Sequence, residues 1–404
     1  MIAYFRSMAH LRERYGSSHI KEALSFSSLV GVLGQRQVGK TTLVELVTGS
    51  DYVTFDDVAQ KSAAELAPQA YIAQFQTLTT IDECQMVPGL FPALKLRVQR
   101  NKRPGQFILT GSVRFTSRVA IQESLTGRIH NIEILPLTVS EMHKKTKPEF
   151  IKWPTFSSKQ LQLYFAERMT WFSHTKIPDY LQHGGLPGIC FLRKQAHRVG
   201  KFKSHIETLL QRDIRFVIET TVPYRSLLAL LKHLAMYQGL PFVLKDASRA
   251  TGISEVTIKK LIAAYEALFL IRRFGGCGDR TGDIFYLEDQ GMASYLTSEG
   301  MISSEQRFAF SQLFSSAHYS HMNEFQLTYF ETKGGAQVPF VFDIAGRKIA
   351  FILNLQESMS SSSIKTIKSF QERFPGSFVY VLSRSAEVAK VFHCVYRVPL
   401  AGIV

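Results

Sequence analysis

Nine residues, Gly34-Gln35-Arg36-Gln37-Val38-Gly39-Lys40-Thr41-Thr42, follow directly on the apolar run Leu29-Val30-Gly31-Val32-Leu33. The spacing GxxxxGK[ST] belongs to a turn that leaves a buried strand and opens a helix, here through Leu43-Val44-Glu45-Leu46-Val47. Such a turn cradles nucleotide phosphates. Gly34 and Gly39 let the backbone aim its amides at the phosphates, the helix N-terminus adds positive potential, Lys40 reaches the β and γ phosphates, and the Thr41 hydroxyl can hold Mg²⁺. The expected ligands are therefore ATP or GTP, with Mg²⁺.

Four further strand-like runs alternate with helical segments, at Tyr52 to Phe55, Leu78 to Ile81, Phe107 to Thr110 and His130 to Ile134, which predicts a parallel α/β sheet. The second of these ends in Asp82-Glu83, two carboxylates where the strand runs out at the nucleotide. Asp82 is expected on the metal side and Glu83 as the residue that orients and deprotonates the attacking water. The run to Thr110 continues into Gly111-Ser112, placing a hydroxyl in a γ-phosphate sensor position. Arg128, before the fifth strand, is the candidate finger in cis or across a subunit interface, with Arg114 and Arg118 as rivals.

The phosphate loop, Asp82-Glu83-Cys84-Gln85, Leu109-Thr110-Gly111-Ser112, and Glu123-Ser124-Leu125-Thr126-Gly127-Arg128 with Leu135-Pro136-Leu137 together resemble the prokaryotic AAA-type ATPases that carry a C-terminal domain of unknown function. Tyr180-Leu181-Gln182-His183-Gly184-Gly185-Leu186-Pro187-Gly188 resembles the turn at the start of that family's second domain. The resemblance implies an additional-strand P-loop fold of sheet order 5-1-4-3-2 that prefers ATP. No Asn-Lys-x-Asp element argues for guanine.

Farther on, Ala247 to Ile262 reads as a helix-turn-helix. Gly252 ends one helix, Ser254 caps the next, and Ile258, Leu261 and Ile262 give that helix an apolar face. Thr257, Lys259 and Lys260 are expected to face nucleic acid, with Arg272-Arg273 on a following strand as a wing. Winged helices also dock proteins, so double-stranded DNA and a protein are alternative partners.

The last hundred residues give strands at Leu327 to Glu331, Val338 to Asp343, Lys348 to Leu353 and Phe378 to Leu382, with a helix around Ile364 to Arg373. The pattern resembles a restriction-endonuclease-like domain whose relatives show Glu-Val-Asp-Phe and Ile-Glu-Val-Lys on neighbouring strands. Here those positions read Gln337-Val338-Pro339-Phe340 and Phe351-Ile352-Leu353-Asn354, so the metal-binding carboxylates and the lysine are gone. Glu331, Asp343 and Glu357 lie nearby in sequence, yet no nuclease activity is expected. The serine run Ser358 to Ser363 reads as a flexible loop.

The fold expected is thus α/β: a P-loop parallel sheet of the AAA type in residues 1–142, a linker in 143–204, a helical and winged-helix domain in 205–296, and a degenerate nuclease-like domain in 297–404. The 404 residues are 45% hydrophobic and 20% charged, the balance of a globular chain with real cores. Four scattered cysteines without a CxxC pair, and histidines without HxH or HExxH spacing, suggest neither a disulfide framework nor a zinc site. No apolar run reaches eighteen residues and the first residues lack a secretory signal, which predicts a cytoplasmic chain without a membrane partner. Of the net charge of +15, Arg193 to Lys260 holds +8, with thirteen Lys or Arg against five Asp or Glu, a field that favours polyanions. The sequence leaves the oligomeric state open.

Overall fold

The computed structural model describes residues 11–115, 125, 127–297, 300–320, 325–356 and 358–404. Arg118, Glu123, Ser124, Thr126 and Glu357 lie outside the described residues. The chain divides into two compact units, each discontinuous in sequence. One draws on residues up to Leu137, on Leu186–Leu228 and on Ile253–Ile271; the other on Thr138–Gly185, Ala229–Gly252 and Arg272–Val404. These limits cut through segment 205–296 at three places, so the points where composition changes are not those where contacts thin out.

The first unit is built on five parallel strands, β1 (Leu29–Leu33), β2 (Asp51–Thr54), β3 (Thr79–Asp82), β4 (Phe107–Gly111) and β5 (Ile129–Glu133), in the order β2-β3-β4-β1-β5. Read from the other edge, that is the 5-1-4-3-2 order the resemblance implied. β1 and β4 are buried along their whole length, which explains their continuous apolar runs. The register pairs Leu33 with both Gly111 and Glu133, and Thr54 with Asp82, so the strands end together at one edge. The helices Gly16–Phe26, Lys40–Thr48 and Leu90–Arg100 follow from apolar residues at helical spacing that bury one face each.

The second unit holds a mixed sheet of β8 (Phe325–Glu331), β9 (Gln337–Ile344), β10 (Arg347–Leu353), β11 (Phe378–Ser383), β12 (Ala389–Phe392) and β13 (Val395–Pro399). Its order is β12-β13-β11-β10-β9-β8, in which β11 is parallel to both β10 and β13 and the other pairs are antiparallel. One face packs on the helix Ser361–Arg373 through Ile367 and Phe370. The other carries an aromatic cluster: Phe351 lies 5.1 Å from Phe150, 5.9 Å from Phe342 and 5.7 Å from Tyr380 between ring centroids. β6 (Ile271–Phe274) and β7 (Ile284–Leu287) form a separate two-stranded ribbon.

The serine run is not all loop. Ser360 caps the helix that starts at Ser361, its hydroxyl accepting the Ser363 amide at 3.1 Å, because serine satisfies an orphan helix amide better than most residues. β12, β13 and the helix Ser304–Ser320 were not foreseen; that helix is buried nearly all round, so it shows no polar face to give it away.

Replacing Phe351 by Ala should cost about 3–5 kcal/mol, the range for a large core truncation, and urea unfolding should register it. A loss under about 1 kcal/mol would show the aromatic layer to be dispensable.

Candidate nucleotide site

The strand ends of the first unit bring the sequence candidates to one edge. Gly34 and Gly39 have φ of 152° and 93°, and Gln37, although not glycine, has φ of 64°, so the loop makes the tight turn that opens the helix Lys40–Thr48. Lys40 is 6% exposed and donates from Nζ to the carbonyls of Gly34 at 2.9 Å and Gln35 at 3.1 Å. Burial lowers its pKa, while the charges of Glu83 and Asp82 pull it back up.

Asp82 is the hub of the edge. Its carboxylate accepts from the Thr41 hydroxyl at 3.2 and 3.3 Å, from the Tyr52 hydroxyl at 2.7 Å, and from the Thr110 hydroxyl. Two of these partners, Tyr52 and Thr110, sit on β2 and β4 on either side of β3, which is why only the sheet order reveals them. Burial first, and the bond to Asp82 second, raise the Tyr52 pKa and keep the phenol a donor. The convergence of Thr41 and Asp82 supplies hard oxygen donors, the set that Mg²⁺ takes.

Glu83 follows with φ of 53°, a left-handed backbone costly for a residue with a Cβ. Its carboxylate accepts from Gln85 Nε2 and from Ser112 Oγ at 3.4 Å, so Gln85 ties it to the β4 end. Burial raises the Glu83 pKa, and Lys40 opposes that shift. A carboxylate held this way is oriented, and it gives up its proton less readily than an exposed one.

The helix Gln195–Gln211 and the turn Asp213–Phe216 also reach the loop. Arg36 pairs with Asp213 at 3.6 Å, and Asp213, 1% exposed, accepts from Arg212 Nε at 2.9 Å. His205, 2% exposed, has no hydrogen-bond partner on either ring nitrogen, and burial, then Arg36, then Lys40 lower its pKa to about 4. The sequence offered no sign of His205. Pro187, from the glycine-rich turn, stands beside Gly39, and with Leu11, Thr42, Leu46 and Leu137 lines a small apolar hollow at the helix start.

Residues 27–143 match the family model described as an AAA domain. This segment is similar to AAA-type P-loop domains. Residues 174–298 match a domain of unknown function, DUF8612. Two uncharacterized proteins, from Mycobacterium tuberculosis and Mycobacterium bovis, are each 27% identical over 290 residues, 70% of this chain and 59% of theirs, so the chain spans less than two thirds of the curated relatives. A Walker-type ATPase of Pyrococcus abyssi superposes with a TM-score of 0.41 at 16% identity, over 69% of this chain and 94% of that one.

Several candidates are not brought to the loop of the AAA-type domain. Arg128 precedes β5, whose register with β1 pairs Ile129 with Leu29, so it lies at the opposite edge, a strand length or about 16 Å away. There it lines a cleft with Phe26, Lys102 and His130, which excludes a finger acting in cis. Its rival Arg114 pairs with Glu133 at 2.9 Å and lies over the Phe269 ring, a structural arrangement. Lys259 and Lys260 are exposed on the helix Glu255–Ala267, but the Thr257 hydroxyl is engaged in the helix cap with Ser254 at 2.8 Å and does not project. Arg272, expected on a wing, pairs with Glu288 and stacks over Phe314 at 4.3 Å, whereas Arg273 stays at the surface with Asp283 at 3.5 Å.

In the second unit, the pairing of Phe351 with Phe340 sets Ile352 beside Pro339 one step along. Asp343 is at the far hairpin end, paired with Lys348 at 2.6 Å, and Glu331 is held by Arg280 at 3.2 Å. Among the described residues no cluster of three His, Cys, Asp or Glu could hold a metal. No helix among them is long and apolar enough to cross a membrane.

A His205 pKa lowered to about 4 makes stability depend on pH. The unfolded chain takes a proton near pH 6.5 that the folded one refuses, so stability is full above that value and falls as pH drops toward 4. Between pH 7.5 and 5 the loss from this group should be about 2 kcal/mol. Urea midpoints of wild type and His205→Gln at the two pH values measure it; an equal drop in both would remove His205 as its source.

Proposed function

We propose that the chain binds ATP and hydrolyses it to ADP and phosphate, coupling nucleotide state to the grip of its other parts on a partner. The observation that carries this is the meeting of Lys40, Thr41, Asp82, Glu83 and Ser112 at one strand edge beside the glycine-rich loop. The residues of the loop, Gly34, Gln35, Arg36, Gln37, Val38, Gly39 and Thr42, would wrap the polyphosphate, and the apolar hollow beside Pro187 would receive the base. Thr41 and Asp82 would hold Mg²⁺, which when bound neutralises phosphate charge. Lys40 would leave the loop carbonyls for the phosphate oxygens. Glu83 would take a proton from the attacking water, and Ser112, bonded to the same carboxylate, would report the γ phosphate. Arg128, remote in its own subunit, would serve as a finger only toward a second copy.

Lys259 and Lys260, exposed on a capped helix within the most basic stretch, favour double-stranded DNA as the partner, held through phosphates rather than base edges. The chain would not cleave that DNA, because Pro339 and Ile352 stand where ligands are needed. A second reading, a nucleotide-gated module with negligible turnover and a protein partner, is favoured by Lys40 folded onto its own loop and Arg36 held by Asp213.

Lys40→Ala and Glu83→Gln should each lower ATP turnover at least a hundredfold, the scale of a lost phosphate clamp or general base, while Glu83→Gln retains bound ATP. The acid limb of kcat/KM should lie above the ordinary carboxylate range, since burial raises the pKa of a base that must be ionised. Unchanged turnover in Glu83→Gln would remove its role, and turnover near zero in the wild type would leave the gated reading.

Incubation of double-stranded DNA with Mg²⁺ and the protein should leave the strands intact. Cutting at a rate that survives Lys40→Ala would overturn the degenerate reading of the second unit.

A further inference from the structure

In the first unit, two cations of the phosphate loop are held by the protein itself, and a buried histidine that feels both has no partner. Lys40 bonds the loop's own carbonyls, Arg36 holds Asp213, and the His205 imidazole, 2% exposed, bonds nothing through either nitrogen. A buried polar group without a partner is costly and calls for an explanation. The charges that act on His205 are Arg36 and Lys40, both on the loop and both hostile to its protonated form. Asp213 and Arg212, from the turn after its helix, act on that field through Arg36. Glu83 and Asp82, from the end of β3, act on Lys40. A polyphosphate in the loop would reverse the sign of this field and offer acceptors to all three groups at once.

We propose that His205 is a phosphate-sensing residue of the nucleotide site: when phosphates enter the loop, Arg36 leaves Asp213 for them, and the imidazole takes one proton from solvent and donates a hydrogen bond to the bound phosphate. The inference rests on the nucleotide reading of the loop. It makes the helix Gln195–Gln211 and its following turn respond to occupancy, since the ion pair that fastens Asp213 to Arg36 is given up as the histidine gains a partner.

Calorimetric titration of the full chain with ATPγS and Mg²⁺ at pH 6.5, in buffers of different ionisation enthalpy, counts the protons. The wild type should take up about half a proton or more per nucleotide, because a phosphate partner brings the imidazole to its ordinary range or above. His205→Gln should bind with that uptake lost, Glu83 and Lys40 remaining in place. Nitrogen-15 spectra of the histidines in the wild type, which need no variant to fold, should show one ring pass from neutral to charged on adding ATPγS. Binding with the same proton count in wild type and variant, or with every ring unchanged, would overturn the proposal alone. Failure of the wild type to bind would overturn the nucleotide reading and this inference with it.

Discussion

Charge buried at the carboxyl edge of a parallel sheet is the constraint on which the rest of this molecule depends. Lys40 and Asp82 are 6% and 7% exposed, and desolvation works against the charge of Lys40 and of Glu83. Each is tolerable only because the others lie close, and they lie close only because β1, β3 and β4 end in register. Tyr52 and Thr110 extend the same logic sideways, giving Asp82 hydroxyl donors from both neighbouring strands. A slip of one residue in that register would turn these side chains to the wrong face and leave a carboxylate buried without partners.

The helix Gln195–Gln211 shows how far the site extends beyond the segment that carries its motifs. It comes from about 150 residues after the loop, yet its His205 and the following Asp213 feel Lys40 and Arg36 directly. Helix and loop therefore share one electrostatic environment, and any ligand of the loop changes the field at the helix.

The second unit follows a different rule. Its sheet is held by aromatic contact, Phe351 with Phe150, Phe342 and Tyr380 on one face and Phe370 with Phe330 at 5.2 Å on the other. Acidic residues that looked available in the sequence are drawn into ion pairs at the margins, Asp343 with Lys348 and Glu331 with Arg280. Asn354 donates to the carbonyls of Gln356 at 3.2 Å and Ser358 at 3.0 Å and shapes a turn. Polar positions of this sheet thus do structural tasks.

The sequence by itself determined what depends on local chemistry: the loop from Gly34 to Thr41, the strands of the first sheet to within a residue, the Ser254 cap, and the carboxylates at the end of β3. These follow from backbone freedom, hydrophobic period and capping, each readable within a few positions. Only the tertiary structure decided which edge each residue occupies. Arg128 looked adjacent to the site because it precedes a strand of the same sheet, but a parallel strand separates its two ends by its own length. Arg272 looked free for a partner until Glu288 and Phe314 came beside it, and the helix Ser304–Ser320, buried on all sides, had no period to read. His205 carried no motif at all, because what distinguishes it is the pairing of burial with two loop cations, and the chain brings those together only by folding.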